Sequence, residues 1–262
     1  MDIIKEFFGF GGYMRPADGY MSWQHLTFVT SLMAVMVLCA VIFSKKNRLK
    51  TEKDKNRVLV VTALLIDGFE ILKIVLLSFR GNDPWHFLYD LPLFLCSIQL
   101  IAIPMAAFCK GRLKEASLDF VTIFGILGAV MGTYFAGQNY GCYPVLSFDN
   151  VVSGITHSLA GFASLYILLS GMTNMKKRNI PLTVGILFGF CIAAYVANIF
   201  TNANYMFLLR GDGTPYDILF NLVGGNPIAY PLGVVALFVL YIAVYYGVFF
   251  LINRRKAPAE KD

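Results

Sequence analysis

The sequence predicts an all-α, polytopic membrane protein with seven transmembrane helices, an N-terminus outside and a cytoplasmic C-terminus. Its 262 residues contain seven apolar runs separated by short polar segments. A run of about 20 apolar residues crosses the hydrocarbon core of a bilayer as a helix. Charged residues make up only 15% of the chain, against about 25% in soluble domains, which argues against a compact soluble fold.

The predicted transmembrane helices follow the apolar runs from one end of the chain to the other. They are Trp23 to Phe43, Val58 to Ser78, Leu91 to Phe108, Leu118 to Phe135, Val151 to Met172, Ile180 to Phe200 and Tyr230 to Ile252. Within the third run, Pro92 and Pro104 favour a kink.

Basic residues outside the runs predict the orientation. Seventeen Lys and Arg residues flank one set of helix ends and four flank the opposite set. The richer side is cytoplasmic by the positive-inside rule, and an outer N-terminus with an inner C-terminus requires an odd number of spans. Because the basic residues are divided among loops instead of gathered on one face, we expect no nucleic-acid partner.

Three regions of the chain follow from this topology. Residues 1–22 mix charged and aromatic residues without the pattern of a signal peptide, and we interpret them as an outer interfacial segment. Residues 23–252 form a single seven-helix domain, and residues 253–262 form a cytoplasmic basic tail. The longest connection, Thr201 to Ala229, is typical of short amphipathic pieces on the outer surface.

Neither a metal site nor a disulfide framework is expected. Of the five cysteines only Cys142 falls in an outer loop, where it has no obvious partner for a disulfide. The chain has no CxxC motif, no His pair at helical spacing and no clustered carboxylates of the ferritin type, so we expect no metal and no cofactor.

Ionisable residues inside predicted spans are the strongest pointers to a site, since each is costly unless it faces a cavity or a partner. The second span carries Asp67, Glu70 and Lys73, whose spacing by three lets Glu70 pair with Lys73. Two interpretations stay open: a structural ion-pair network, or direct participation in chemistry.

A cysteine and a histidine share a depth in the predicted topology. Cys96 lies ~8 Å and His157 ~9 Å below the outer face, at about 1.5 Å per helical residue. The same arithmetic places Lys73 ~8 Å and Glu70 ~12 Å deep. A thiol beside an imidazole is the minimal equipment for nucleophilic catalysis, although a lone histidine inside a membrane also serves to bond a neighbouring helix.

Further polar residues accompany this pair. Gln99, Ser158 and Asn198 fall in the outer half of the predicted spans, and Asp90, Asn202, Asn204 and Tyr205 fall at the rim. The two remaining histidines, His25 and His86, are placed at the interface by the same topology.

Several segments together carry a resemblance. They are Asp90-Leu-Pro-Leu-Phe-Leu-Cys96, Thr156-His157-Ser158, Asn202-Ala-Asn-Tyr-Met-Phe-Leu208 with Asn226-Pro227, and His25-Leu26 near the start of the first span. In order and spacing they resemble the YwaF and transmembrane-protein-164 family over nearly the whole chain. That family most often has His where this chain has Phe94.

The resemblance implies an activity. The animal member of the family is described as a phospholipid acyltransferase that uses a cysteine and a histidine, and these roles fall here on Cys96 and His157. His157 would be the general base, and Cys96 would take an acyl group from a membrane phospholipid as a thioester and pass it to a lysophospholipid or to water. Glu70 or Asn202 would orient the imidazole, and Gln99 or Ser158 would stabilise the oxyanion.

The expected location is the cytoplasmic membrane of a bacterium, as a multi-pass protein. Two other classes remain open. A lipid or small-molecule transporter or receptor fits the span count, but Asn226-Pro-Ile-Ala-Tyr230 lies on the wrong side of the membrane for a receptor signature, and the paired broken helices of transporters are not evident. A structural scaffold explains the fold but leaves the shared depth of the polar residues as coincidence.

Overall fold

The computed structural model is helical throughout the part of the chain that it describes. It covers residues 2–256, apart from the side chains of Asp2, Tyr89, Arg254, Arg255 and Lys256. The α-helices in this range are α1 Asp2–Phe8, α2 Trp23–Asn47, α3 Glu52–Gly81, α4 Gln99–Phe108, α5 Gly111–Met131, α6 Gly137–Cys142, α7 Phe148–Ser170, α8 Ile180–Thr201, α9 Tyr216–Leu222 and α10 Ala229–Lys256. Short 3-10 turns occupy His86–Tyr89, Lys177–Asn179 and Tyr205–Phe207.

Four helical segments are long and apolar enough to cross a membrane. They are Trp23–Asn47, Phe148–Ser170, Lys177–Thr201 and Ala229–Asn253, and they contain most of the first, fifth, sixth and seventh predicted spans. Helices of this length and composition satisfy their backbone hydrogen bonds within the helix and present apolar side chains to lipid. The chain is therefore an integral membrane protein.

Helices α3 and α5 correspond to the second and fourth predicted spans. α3 has 30 residues, or ~45 Å of helix, which exceeds the thickness of a bilayer core. Thr51 caps its start by accepting a hydrogen bond from the Asp54 N–H, and Asn82 ends it in a left-handed conformation. α5 has 21 residues.

The continuous helix predicted over Leu91 to Phe108 is wrong, because helix α4 begins only at Gln99. Pro92 supplies no N–H and disfavours helical backbone at the residue before it. The Ser97 hydroxyl accepts from the Phe94 N–H at 3.0 Å and donates to the Phe94 carbonyl at 3.2 Å. These side-chain bonds compete with a helical ladder and leave residues 91–98 as a series of turns.

Contacts divide the chain into two compact units, Met1–Thr173 and Asn174–Asp262. In the first unit α5 packs against α4 and α7, and α7 also packs against α2 and α3. Small residues allow α5 and α7 to approach closely. A Cβ built on Gly125 would lie 2.7 Å from the Ala160 carbonyl oxygen, and the Ser164 hydroxyl donates to the Thr122 carbonyl at 2.7 Å.

The N-terminal segment is tied to the ends of α3 and α7. Arg80 makes a bidentate ion pair with Asp149, at 2.7 and 2.8 Å. The Tyr13 hydroxyl donates to the same carboxylate, and Arg80 also donates to the Phe8 carbonyl at 3.3 Å. Asp18 accepts from the Val145 N–H at 2.7 Å. We call residues 2–18 the strap.

The second unit is organised around asparagine side chains. Asn198 on α8 exchanges two hydrogen bonds with the Tyr205 backbone, at 2.6 and 3.1 Å. Asn204 donates to the Arg210 carbonyl and accepts from the Leu209 N–H. Between α8 and α10 the connection forms a 3-10 turn and α9, in agreement with the short pieces predicted there.

Candidate functional site

The Cys96 side chain lies in the turns that precede α4 and faces a glycine of α5. A Cβ built on Gly128 would lie 3.2 Å from the Cys96 Cα and 3.4 Å from its Cβ, which is tight contact. The Cys96 side chain is partly buried. The turns that hold Cys96 lead directly into α4, whose first backbone N–H groups have no partner within the helix.

The His157 side chain, on α7, occupies the space left by Gly132, the glycine that caps the C-terminus of α5. A Cβ built on Gly132 would lie 2.0 Å from both Cδ2 and Nε2 of the imidazole. Any side chain at position 132 would therefore overlap the ring. His157 is also partly buried.

The two glycines bring Cys96 and the His157 imidazole to one side of the C-terminal part of α5. Gly128 and Gly132 are four residues apart, which is about one turn and ~6 Å along the helix. Along α5, His157 therefore lies about one turn nearer the C-terminal end than Cys96, and the equal depth below the outer face that the helical arithmetic gave stays a prediction. That arithmetic assumed a helix through Cys96, which the structure lacks.

The structure separates the histidines by their partners. His25 is fully buried and uses both ring nitrogens: Nδ1 accepts from the Met21 N–H at 3.1 Å, and Nε2 lies 3.0 Å from the Thr133 carbonyl. It packs on Tyr140 at 4.0 Å between ring centroids. By contrast, the His157 ring has no hydrogen-bond partner within residues 2–256 as described. His25 is structural, and His157 is available as a base.

A chain of charged side chains joins α3 to the segment before α4. Lys73 pairs with Glu70 at 2.6 Å and with Asp90 at 3.2 Å, and Asp90 also lies 3.2 Å from His86 Nε2. The pairing of Glu70 with Lys73 expected from their spacing is therefore present. The Glu70 carboxylate holds the ammonium instead of the imidazole that it was expected to orient.

Lys73 is a largely buried cation, because its side chain is only 18% exposed. The carboxylates of Glu70 and Asp90 compensate its charge from two sides.

Gln99 and Ser158, the two expected oxyanion donors, differ in their surroundings. Gln99 is the first residue of α4 and is fully buried, and neither its amide nitrogen nor its amide oxygen has a partner among the described residues. Ser158 donates to the Gly154 carbonyl of its own helix at 2.7 Å. The Gln99 amide is the one of the two that remains available.

The other expected site residues lie in the second unit. Asn198, Asn204 and Tyr205 take part in the hydrogen bonds described above, which hold the turn after α8. Asn202 is exposed and ends α8 in a left-handed conformation with a φ of 55°. A direct role of these four residues in chemistry stays a prediction from the sequence.

Sequence reasoning missed Gly128 and Gly132, which do more than any polar residue to define the site. The available signal was a pair of glycines four residues apart in an apolar helix, a spacing typical of close helix contacts in membranes. The sequence does not show which side chains fill the two gaps. That depends on how α4 and α7 pack on α5.

These observations define a class: an integral membrane protein whose first unit presents a thiol, an imidazole and an ammonium around one glycine-lined helix face. The chain belongs to the TMEM164 family, whose model matches residues 20–246. The matched range contains every segment on which the resemblance rested. No curated protein and no solved structure matches the chain at a significant level.

Proposed function

We propose that the protein is a membrane lipid acyltransferase that works through a thioester on Cys96. In the first half-reaction His157 accepts the thiol proton, the Cys96 sulfur bonds to the ester carbonyl carbon of a phospholipid, and the ester C–O bond breaks. The leaving lysophospholipid oxygen takes the proton from His157. In the second half-reaction an acceptor hydroxyl loses its proton to His157, bonds to the carbonyl carbon and releases the thiol.

The observation that carries this proposal is the seating of Cys96 and His157 on adjacent turns of one helix face by Gly128 and Gly132. A covalent mechanism needs a nucleophile and a base that a single reacting group can reach. Two glycines that each leave room for one of these side chains favour this arrangement over chance placement. The unpartnered imidazole and the neighbouring Lys73 support the same assignment.

The proposed membrane topology completes the mechanism. All seven apolar runs cross the bilayer, with the N-terminus outside and the C-terminus in the cytoplasm, and residues 91–98 extend the short α4 toward the outer face. Irregular backbone at membrane depth is tolerated where it lies within protein or lines a cavity, which suits a substrate site. The outer-half position favours ester carbonyls of the outer leaflet as donors over cytoplasmic acyl-CoA. A bacterial cytoplasmic membrane is the proposed location.

The decisive experiment is to look for the thioester. Purified protein would be incubated with a phospholipid carrying a labelled acyl chain, and the mass of the peptide containing Cys96 would be measured. We expect an added acyl mass that hydroxylamine removes, and acyl exchange that Cys96→Ala abolishes. Cys39→Ala and Cys109→Ala are matched controls that should keep activity.

The opposite result is equally informative. Full acyl exchange by Cys96→Ala, with the protein folded, would contradict the mechanism and favour a lipid or small-molecule transporter or receptor. Cys96→Ser should also be nearly inactive, because a hydroxyl is a much weaker nucleophile beside the same base.

A further inference from the structure

Gln99 is an uncompensated polar group in the interior of the first unit. Its side chain has no exposed surface, and both atoms of its amide lack a hydrogen-bond partner among the described residues. Buried amides are nearly always bonded, because burying an unpaired donor or acceptor costs free energy. An amide without a partner from the chain itself therefore calls for a partner from outside the chain.

The position of Gln99 connects this amide with the thiol. Gln99 follows Cys96 by three residues and opens α4. The Ile98 N–H donates to the Phe94 carbonyl at 2.9 Å and the Leu100 N–H donates to the Ser97 carbonyl at 3.0 Å, so tight turns keep the two residues close. The amide and the thiol therefore belong to one compact segment at the start of α4.

We propose that the Gln99 side-chain amide is the oxyanion donor for acyl transfer at Cys96, which makes Gln99 a catalytic residue. This inference rests on the proposed function. When the sulfur bonds to the ester carbonyl carbon, the carbon–oxygen π pair moves to the oxygen, and the Gln99 N–H donates to that anion. When the pair returns, the C–O bond to the lysophospholipid breaks and the Gln99 amide is unpaired again.

This assignment explains why the amide is unpaired in the free protein. A donor that serves the transition state should have no stronger partner in the resting protein, because a bond made there would have to be broken during reaction. Ser158 is already bonded to the Gly154 carbonyl. A structural glutamine would instead be bonded to the backbone or to a neighbouring side chain.

Two reactions of the same thiol provide the test. Acylation by p-nitrophenyl octanoate passes through an oxyanion, whereas alkylation by iodoacetamide displaces iodide at a saturated carbon and forms none. The full chain in detergent would carry Gln99→Met, which keeps the length of the side chain and removes the amide. Both rates would be followed by mass spectrometry on the peptide containing Cys96, with Cys96→Ala as the blank.

We expect Gln99→Met to slow acylation by roughly 100-fold or more, as loss of one oxyanion donor does in other acyl-transfer enzymes. Its alkylation rate should stay within about twofold of the wild type, since the thiol and its base are unchanged. Its midpoint of thermal unfolding should be unchanged or higher, because an unpaired amide is replaced by an apolar group. Gln138→Met, at an exposed position, is the matched control and should change neither rate.

Three outcomes would overturn the inference. Acylation of Gln99→Met at the wild-type rate would show that the amide does not act on the oxyanion. An equal fall in acylation and alkylation, or a lower unfolding midpoint, would show a structural role. A wild-type thiol that is alkylated by iodoacetamide but never acylated by the ester would overturn the proposed function itself. This outcome is distinguished from the first two because it is seen in the wild-type protein.

Discussion

Gly132 determines where the imidazole of His157 can lie. A methyl group added at Gly132 would place its carbon 2.0 Å from the ring, and the two cannot occupy the same space. Gly132→Ala should therefore push the ring away from Cys96 without changing either reactive residue. Since a positioned general base contributes about 100-fold or more to a rate, we expect acyl exchange to fall by on the order of 100-fold, measured with labelled phospholipid.

Gly68→Ala is the matched control for this variant. Gly68 is an exposed helical glycine with open space where a Cβ would lie, so alanine there should leave activity unchanged. Equal activity of Gly132→Ala and Gly68→Ala would show that the imidazole is not needed at its observed place.

Lys73 is expected to act on the thiol through its charge. Removing the ammonium alone would leave Glu70 and Asp90 as neighbouring unpaired carboxylates, so the informative variant is the pair Glu70→Gln with Lys73→Met. In this variant the alkylation of Cys96 by iodoacetamide near neutral pH should slow by less than about tenfold, because the loss of the ammonium lowers the thiolate fraction and the loss of the Glu70 carboxylate partly offsets it. The alkylation rate would be measured by mass spectrometry on the peptide containing Cys96. Faster or unchanged alkylation would contradict a role for the Lys73 charge.

At the scale of single residues, the sequence nominates Cys96 and His157 as candidates but does not rank the histidines by physical role. The type of a residue and its expected depth in the membrane can be counted along the chain. The sequence does not show whether a histidine ring nitrogen is already hydrogen-bonded, because the partners of His25 come from distant positions such as Thr133.

At the scale of elements, the strap is held in part by the ion pair that joins the ends of α3 and α7. The side chains of Arg80 and Asp149 are only 18% and 10% exposed, and removing one member of a buried pair leaves the other uncompensated. Arg80→Met should destabilise the first unit by about 3 kcal/mol, the low end for buried pairs, since both groups keep some exposure.

Limited trypsin digestion provides the measurement for this variant, because Lys5 is an exposed cleavage site in the strap. This site should be cut faster in Arg80→Met than in the wild type. Arg210→Met, an exposed arginine paired only with nearby Asp212, should behave as the wild type. An unchanged digestion pattern in Arg80→Met would show that the pair does not hold the strap.

The docking of the strap should not depend on pH across the physiological range. Burial, followed by the hydrogen bond to Asp149, raises the pKa of Tyr13 to about 12; its contribution is complete below its ordinary pKa of 10.0 and is lost as pH rises through 12. Hydrogen bonds from the backbone of Arg15 and Met14 lower the pKa of Glu6 below its ordinary 4.5, so its contribution is present above 4.5 and is lost as pH falls.

Chymotryptic cleavage at Tyr13, corrected for protease activity at each pH, should therefore be constant between about pH 6 and 9. A step in protection within that window would indicate that some other group controls the strap.

The break before α4 shows where element prediction failed. Hydropathy depends on composition alone, and residues 91–108 are apolar throughout their length apart from Cys96, Ser97 and Gln99. The local hydrogen bonds of Ser97 and the missing N–H of Pro92 disfavour a helix over residues 91–98, but they barely change the mean hydropathy of the run.

At the scale of the whole molecule, the six uninterrupted apolar runs coincide with helices, because length and composition are properties that a sequence displays directly. The division into two units is not such a property, since it depends on which helix faces meet. Seven crossings and their direction remain a proposal.

The direction of the chain can be measured through Cys142, which is exposed in the connection between α5 and α7. A membrane-impermeant maleimide applied to intact cells should label Cys142 and should fail to label Cys142→Ala. A tag at the C-terminus should be cut by protease only in inverted vesicles. Protease cutting of that tag in intact cells would reverse the orientation and remove the depth argument.

The strap has a consequence for how the chain can be divided. The family match begins at residue 20, after Tyr13 and Phe8, yet the ion pair on which they rest lies inside the match. Arg80 and Asp149 join α3 to α7 directly. The strap therefore covers a joint whose two members both lie within the family match, and replacing residues 2–18 by another sequence is expected to leave the pairing of α3 with α7 in place.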